Sequence, residues 1–438
     1  MEKKQTNVIA IVTMFFLFAM ISFVTNLAAP LGNIWMQSYS WAGMWGNMMN
    51  FLAYLFMGIP AGKMLTTKGY KKTALIALAL GVIGIFIQWL SSKVGADVKV
   101  FTVGSDVVAL NFIIYLLGAF ICGFCVCMLN TVVNPMLTIL GGGGNRGNQL
   151  VQAGGACNSL SGTLTPLFVG ALIGTVTDKT SMSDVAPLLY IAMGVFILSF
   201  IIILIVNIPE PALGAEQKKF ESSPWKFRHT VFGVIAIFFY VGVEVGIPGT
   251  LNFYLSDPSA AGAGIGIGGA AVGGALAAMY WLLMLVGRLG STAISGKVSP
   301  RTQLITVGSI ALAFLFLAIV LPKTTTISMP GFDIHSGFSL NQVPISCLFL
   351  VLCGLCTSVM WGCIFSLSVD GLGKYTEQAS GIFMMMVVGG GVGPLLQNAL
   401  AANVGYMASY WLPFAMMAYI VFFAAFGSKN VNKDIVTD

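Results

Sequence analysis

Glu244 lies in the run Phe239-Tyr240-Val-Gly242-Val-Glu244-Val and is the single one of the 15 Asp and Glu placed deep within an apolar stretch. Counted from His229 at about 1.5 Å per residue, it sits roughly 22 Å along a helix, near the middle of a bilayer. A charge at that depth costs at least ~2.5–3.5 kcal/mol, so such residues face a cavity and carry function. Desolvation disfavours the carboxylate and favours the protonated acid, which is the property a proton carrier or a polar-ligand site requires. The structural alternative is a protonated or ion-paired glutamate that ties helices together. Its obvious partner is Arg288, but the same helix arithmetic puts Arg288 toward the far end of its own span, too distant for a direct pair.

Around this acid the apolar runs hold amides, among them Asn26, Asn47, Asn50, Asn130, Asn158, Asn252 and Gln397. An amide offers both donors and acceptors to vicinal hydroxyls, and an aromatic face suits the apolar C–H side of a pyranose. The same amides also serve as interhelical ties worth ~0.6–2 kcal/mol each. Trp281 and Trp361 fall deep in their runs, Trp361 being the better stacking surface. No catalytic constellation is visible: His229 and His335 fall in expected loops, and there is one buried acid. The run Gly141 to Gly147 lacks the Lys-Ser/Thr of a phosphate loop, and Gly262 to Gly274 lacks a preceding strand, so both read as packing glycines. All eight cysteines lie in apolar stretches and read as small packing residues with no metal role. No cofactor is expected.

The chain that positions these groups has 438 residues, 57% hydrophobic and only 8% charged, against roughly a quarter charged in soluble domains. A soluble fold is excluded, and 21 Lys and Arg spread over this length form no nucleic-acid face. Apolar runs of about 20 residues, enough to cross ~30 Å of hydrocarbon, predict twelve transmembrane helices. They cover approximately residues 8–30, 43–62, 73–92, 108–140, 148–175, 185–208, 230–255, 266–293, 303–321, 344–368, 379–402 and 407–427. With the N-terminus inside, sixteen of the cations fall on the cytoplasmic side and four outside, so both termini are expected to be cytoplasmic. The run after Lys3 and Lys4 is too long for a signal h-region and is kept as the first span.

The segment from Pro209 to His229 is the one connection with a linker's composition. It divides the chain into an N-terminal six-helix half (1–208), a linker (209–229) and a C-terminal six-helix half with a short tail (230–438). Gly162-Thr-Leu-Thr-Pro166-Leu-Phe-Val-Gly-Ala-Leu172 matches Gly390-Gly-Val-Gly-Pro394-Leu-Leu-Gln-Asn-Ala-Leu400 at five of eleven positions, 228 residues apart. The fifth and eleventh spans therefore look equivalent. Parallel six-helix repeats around a midplane site are a plan of secondary transporters.

Four segments carry a family likeness: Asn134-Pro135-Met-Leu-Thr138-Ile-Leu-Gly141, Asn158-Ser159 through Pro166, Phe239 through Glu244, and Ile364-Phe365-Ser366 through Gly373. With Gly287-Arg288 and Pro300 they span both halves, and the chain resembles the fucose/glucose/galactose permeases of the major facilitator superfamily. The resemblance implies an all-α membrane protein of two six-helix halves. It also implies a carrier, not an enzyme, that imports a monosaccharide, a hexose or deoxyhexose, by alternating access with proton symport. Asn26, Asn130, Asn158, Tyr240, Glu244, Trp361 and Gln397 are the expected sugar contacts, Glu244 the proton carrier, and Arg288 a gate residue contacting the eleventh span or Asp370. The expected partners are the sugar, the proton and the lipid bilayer of a bacterial inner membrane, with a monomer as the assembly and no nucleic acid.

Departures from the family pattern bear on mechanism. Thr66 and Thr67 stand where the loop Gly62 to Lys72 usually has an acid and an Arg. Ala29 replaces the span 1 aspartate of the fucose branch, and Asn130 stands where that branch has a glutamate. Facilitated diffusion and sodium coupling therefore stay open beside proton symport, while the amides argue against a drug exporter, whose pocket would be aromatic-lined and apolar.

Overall fold

A bilayer offers no water to backbone N–H and C=O groups, so apolar runs fold as helices that satisfy these groups internally. The computed structural model describes residues 8–431 apart from 142–143, 174–179, 211–222, 266–267, 295–297, 334–336 and 373–374. Along it run α1 (Val8–Ser38), α2 (Trp45–Leu90), strands β1 (Lys99–Val103) and β2 (Asp106–Ala109), then α3 (Leu110–Leu140), α4 (Gly144–Ile173) and α5 (Ala186–Ile205). After the connecting segment come α6 (Arg228–Ser256), α7 (Gly269–Ile294), α8 (Pro300–Val320), strands β3 (Thr326–Asp333) and β4 (Gly337–Pro344), and α9 (Ser346–Thr357). The chain finishes with α10 (Met360–Ser368), α11 (Thr376–Met386), α12 (Gly389–Val404), α13 (Tyr406–Ser409), α14 (Trp411–Phe422) and a π-helical turn Phe423–Gly427.

Among the described residues ten helices are long and apolar enough to cross a membrane, and the bent pair α9 and α10 brings the number to eleven. The twelfth long helix, α4, is more polar than the rest: it packs between α1 and α7 with glycines at the contacts and turns Leu160, Leu164, Phe168 and Leu172 outward. The linker 209–229 lies mostly outside the described residues, as do Lys3, Lys4 and His335.

The structure departs from the expected spans at three places. α1 continues through Pro30 to Ser38, where an end near residue 30 was expected; a proline costs one ladder hydrogen bond, which a membrane helix re-satisfies through its neighbours. The second and third spans join in one element kinked at Gly69, whose φ of 84° only glycine adopts without strain. There Glu210, just past α5, accepts from the backbone N–H of Tyr70 and, at 2.9 Å, of Lys71. A carboxylate is thus set at the start of a helix, whose first N–H groups have no partner of their own. The tenth span is broken between Thr357 and Met360, its two parts bent by 42°.

Two antiparallel hairpins, β1 with β2 and β3 with β4, cap the end of the bundle opposite the Gly69 kink. The second reaches across to α4, where the rings of Phe332 and Phe168 meet edge to face at 6.3 Å.

Small residues let the backbones touch. A Cβ on Gly84 would lie 2.8 Å from the Cys122 nitrogen and one on Gly118 at 2.7 Å from the Gln88 nitrogen, which brings the second part of α2 against α3. In the first part of α2, the Asn50 carbonyl occupies the place where Gly123 would carry a side chain. Contacts of this kind drive helix association where lipid tails match side chains in apolarity. Substituting Gly123→Ala should therefore cost about 1–3 kcal/mol of stability through overpacking, seen as a lower thermal unfolding temperature in detergent, while Gly62→Ala, facing open space, should leave it unchanged.

Candidate functional site

Nine helices contribute to one cavity of about 420 Å³, which runs from Asn26 and Trp281 midway along the bundle to Ser291, Pro300 and Gln303 at the end where α7 and α8 join. At the opposite end the bundle is sealed. Asn33 of α1 donates to Asn252 of α6 and, at 3.3 Å, to the Ser256 hydroxyl. Asn47 of α2 donates to the Gly390 carbonyl of α12 at 2.6 Å. Only a small pocket of about 30 Å³ lies between seal and cavity, and Thr25, Asn26, Val245 and Trp281 line both.

Asn33 was absent from the sequence-derived candidates because the first span was expected to end near residue 30, whereas α1 runs on to Ser38. Its position seven residues after Asn26, two turns along one face, was the signal that points to it.

Glu244 lines the cavity. Its Oε1 accepts from the Tyr240 hydroxyl at 2.8 Å and lies 3.5 Å from Nη2 of Arg288. The expectation that Arg288 is too distant for a direct pair is thus overturned. The reason is side-chain direction: on a helix each Cα–Cβ bond leans toward the N-terminus. α6 and α7 run antiparallel, so Glu244 leans toward the α7–α8 end of the bundle while Arg288 leans back toward the middle, and the two converge. Among the described residues the polar contacts of Arg288 do not include the eleventh span or Asp370, the gate partners expected for it. Its Nη1 donates instead to the Gly155 carbonyl at 2.9 Å and the Ser159 hydroxyl at 2.7 Å, both on α4.

Asp370 is exposed just past α10, where its backbone carbonyl meets a His229 ring nitrogen at 2.9 Å. His229 itself is buried in the first turn of α6 and not in a loop.

Of the expected sugar contacts, Asn26, Asn130, Asn158, Tyr240, Glu244 and Trp361 all line the cavity. Asn26 donates to the Ser22 carbonyl at 2.9 Å, Asn130 to the Tyr54 hydroxyl at 2.7 Å and Asn158 to the Phe18 carbonyl at 3.1 Å. Each carboxamide is held by its nitrogen, that of Asn26 by a further bond to the Ser22 hydroxyl at 3.1 Å, so the amide oxygens are what all three can offer a ligand. Trp361 lies 6.2 Å from the Tyr240 ring, tilted by 59°. Gln397 is the exception: buried on α12, it turns toward Gly246 of α6, where the missing Cβ leaves room, and is outside the cavity wall. Tyr54, Asn134, Trp281 and Ser358 also line the cavity.

The sequence model of the Major Facilitator Superfamily matches residues 9–387. The chain belongs to this superfamily. This facilitator is similar to a glucose/galactose transporter of Brucella abortus biovar 1 (strain 9-941), 30% identical over 95% of this chain and 93% of that protein. It is also similar to the L-fucose-proton symporter of Escherichia coli (strain K12), 22% identical over 96% of this chain and 93% of that one. A crystal structure of the E. coli fucose:proton symporter superposes with a TM-score of 0.66 at 21% identity, covering 97% of this chain and 100% of the other. A D-xylose-proton symporter gives 0.67 at 10% identity, covering 97% and 98%. At these identities the two structures establish the fold alone; the family model and the 30% identical relative make this facilitator a multi-pass membrane carrier and not an enzyme.

The Arg288 contacts generate a stability test. Removing one member of this cavity-lining pair, whose side chains are 16% and 13% exposed, leaves the other charge poorly compensated, at a cost of up to about 3–5 kcal/mol, the figure for a fully buried pair. Arg288→Ala should therefore lower the unfolding temperature of the facilitator in detergent substantially. Adding Glu244→Gln to Arg288→Ala should restore part of the loss, because no bare carboxylate then remains. Equal losses in the single and double variants would show that the pair carries no mutual stabilisation.

Proposed function

We propose that this facilitator imports a hexose or deoxyhexose across a bacterial inner membrane by proton symport, with Glu244 as the proton-carrying group. One observation carries the reading. Among the described residues lining the cavity there is a single carboxylate, Glu244, set against Arg288 and Tyr240 and surrounded by amides and two indoles. Amides and hydroxyls suit vicinal sugar hydroxyls, and an indole face suits the apolar side of the ring. The names of the similar proteins, glucose/galactose transporter and L-fucose-proton symporter, support the same substrate class.

In this reading both termini are cytoplasmic and the two six-helix halves, 1–208 and 230–438, rock about the cavity in a monomer embedded in lipid. The end where α7 and α8 join then faces the cytoplasm, so the structure represents the inward-facing state, closed outside by Asn33, Asn252, Asn47 and Gly390. Arg288 ties α4 of the first half to α6 of the second through Glu244. Protonation of Glu244 outside removes the negative charge that holds the guanidinium, and deprotonation toward the cytoplasm restores it.

The replacements Ala29 and Asn130 remove the other acidic positions of the fucose branch, so Glu244 carries the proton or no deep group does. Glu244→Gln keeps the shape and hydrogen bonding of the protonated acid but holds no titrating proton. In proteoliposomes given a panel of D-glucose, D-galactose and L-fucose, the wild type should accumulate at least one sugar against its gradient when a pH gradient is imposed. The Glu244→Gln variant should still exchange that sugar while losing uphill accumulation. Undiminished accumulation by the variant would assign coupling to sodium or another group, and wild-type transport that only equilibrates would make the protein a facilitator.

A further inference from the structure

The hydroxyl of Tyr240 stands between two acceptors, Oε1 of Glu244 at 2.8 Å and the carbonyl of Thr357 at 3.2 Å. Thr357 is the last residue of α9, at the break where the tenth span bends by 42° before α10 begins at Met360. Its own hydroxyl meets that of Tyr280 at 2.9 Å, so the break is held from α6 and α7 together. Trp361, four residues past Thr357 and therefore about one helical turn along, faces the cavity and packs on the Tyr240 ring. Tyr240 is fully buried, so water is not at hand to satisfy its phenol.

A phenol has one proton to donate. While Glu244 is ionised the charge-assisted bond to the carboxylate is the stronger, and the Tyr240 proton points there. Once a proton from water is on Glu244, the carboxyl O–H itself donates to the Tyr240 oxygen, and the phenol proton turns to the Thr357 carbonyl. Tyr240 keeps its proton in both states; only its direction changes. The bond to Thr357 is made at the break, where the helix is held by fewer internal constraints and a single bond changes its set most.

We propose that Tyr240 is the positioning residue that transmits the protonation state of Glu244 to the break in the tenth span, and through it to the sugar-facing indole of Trp361. The inference rests on the assignment of Glu244 as the proton carrier and adds to it the route by which proton and sugar sense one another. It also accounts for the break itself, which falls at Thr357-Ser358-Val359, where there is no proline. The charged and titratable groups around the Glu244 and Tyr240 pair are Arg288 and Tyr280 of α7, Cys353 and Cys356 of α9, Cys363 of α10, Tyr410 just before α14 and Tyr419 within it. α1 and α12 carry none.

The test is the pH dependence of sugar affinity in the full-length protein. Half-saturation of equilibrium exchange is measured in proteoliposomes, using the sugar of the panel that the wild type carries, at about pH 6 and about pH 8, on either side of neutrality. Coupling free energies between sites correspond to about five-fold or more in affinity, and the wild type should show a change of that size. Tyr240→Phe keeps the ring and its packing, so a merely structural role would shift affinity equally at both pH values. The inference expects the pH dependence to flatten instead.

A wild-type change that Tyr240→Phe reproduces in full overturns the role of Tyr240 and leaves Glu244 as the carrier. A wild type with no pH dependence overturns both. Should Tyr240→Phe fail to reach the membrane, amide hydrogen exchange across residues 355–363 carries the test, with Glu244→Gln compared to the wild type at one pH. Slower exchange in Glu244→Gln is expected, and identical exchange overturns the inference.

Discussion

The presence of one carboxylate at mid-depth in the bundle constrains everything around it. An ionised glutamate there is intolerable without a cation and hydrogen-bond donors, and the structure supplies both: Arg288 from α7 and Tyr240 from the preceding turn of α6. Arg288 in turn needs acceptors for its remaining N–H groups and finds them on α4, at Gly155 and Ser159. The satisfaction of one buried charge thus links α6, α7 and α4. The cavity opens beside this group because polar side chains that line water or ligand cost less than polar side chains facing lipid.

Motion in such a carrier requires contacts that are close yet separable. Glycine-backed contacts such as Gly84 against Cys122 and Gly123 against Asn50 fasten helices within the first half. At the seal, amide hydrogen bonds add to such packing: Asn33 donates to Asn252 and Ser256, and Asn47 to the Gly390 carbonyl, beside the close approach of Gly391 to Met48. Hydrogen bonds between helices in membranes contribute about 0.6–2 kcal/mol each, small enough for a sugar and a proton to outweigh.

Much of this was legible in the sequence. The apolar runs, the sparse charges and the motifs around Asn134, Asn158 and Glu244 point to the helical carrier and to most of the cavity wall. What escaped has physical causes. The first span was expected to end near residue 30, but neighbouring helices carry α1 past Pro30 and bring Asn33 into the seal. Helix length fixes the depth of an α-carbon and says nothing of side-chain lean, so Arg288 was placed beyond reach of Glu244 when it is its partner. The break at Thr357 to Met360 has no proline to announce it and depends on tertiary contacts from Tyr240 and Tyr280. Gln397 looked like a cavity amide by depth alone, whereas the space at Gly246 turns it away. The two hairpins, short strands in polar connections, carry a pattern too brief to separate from loop.

The claim on which the account turns is that a proton enters with each sugar and rides on Glu244. Its most direct measurement is the pH of a lightly buffered suspension of cells or proteoliposomes when the transported sugar is added without any imposed gradient. The account predicts transient alkalinisation of the outside medium with the wild type and none with Glu244→Gln, at sugar exchange rates that remain measurable in both. Alkalinisation of equal size in the variant, or none in a wild type that carries the sugar, would contradict it.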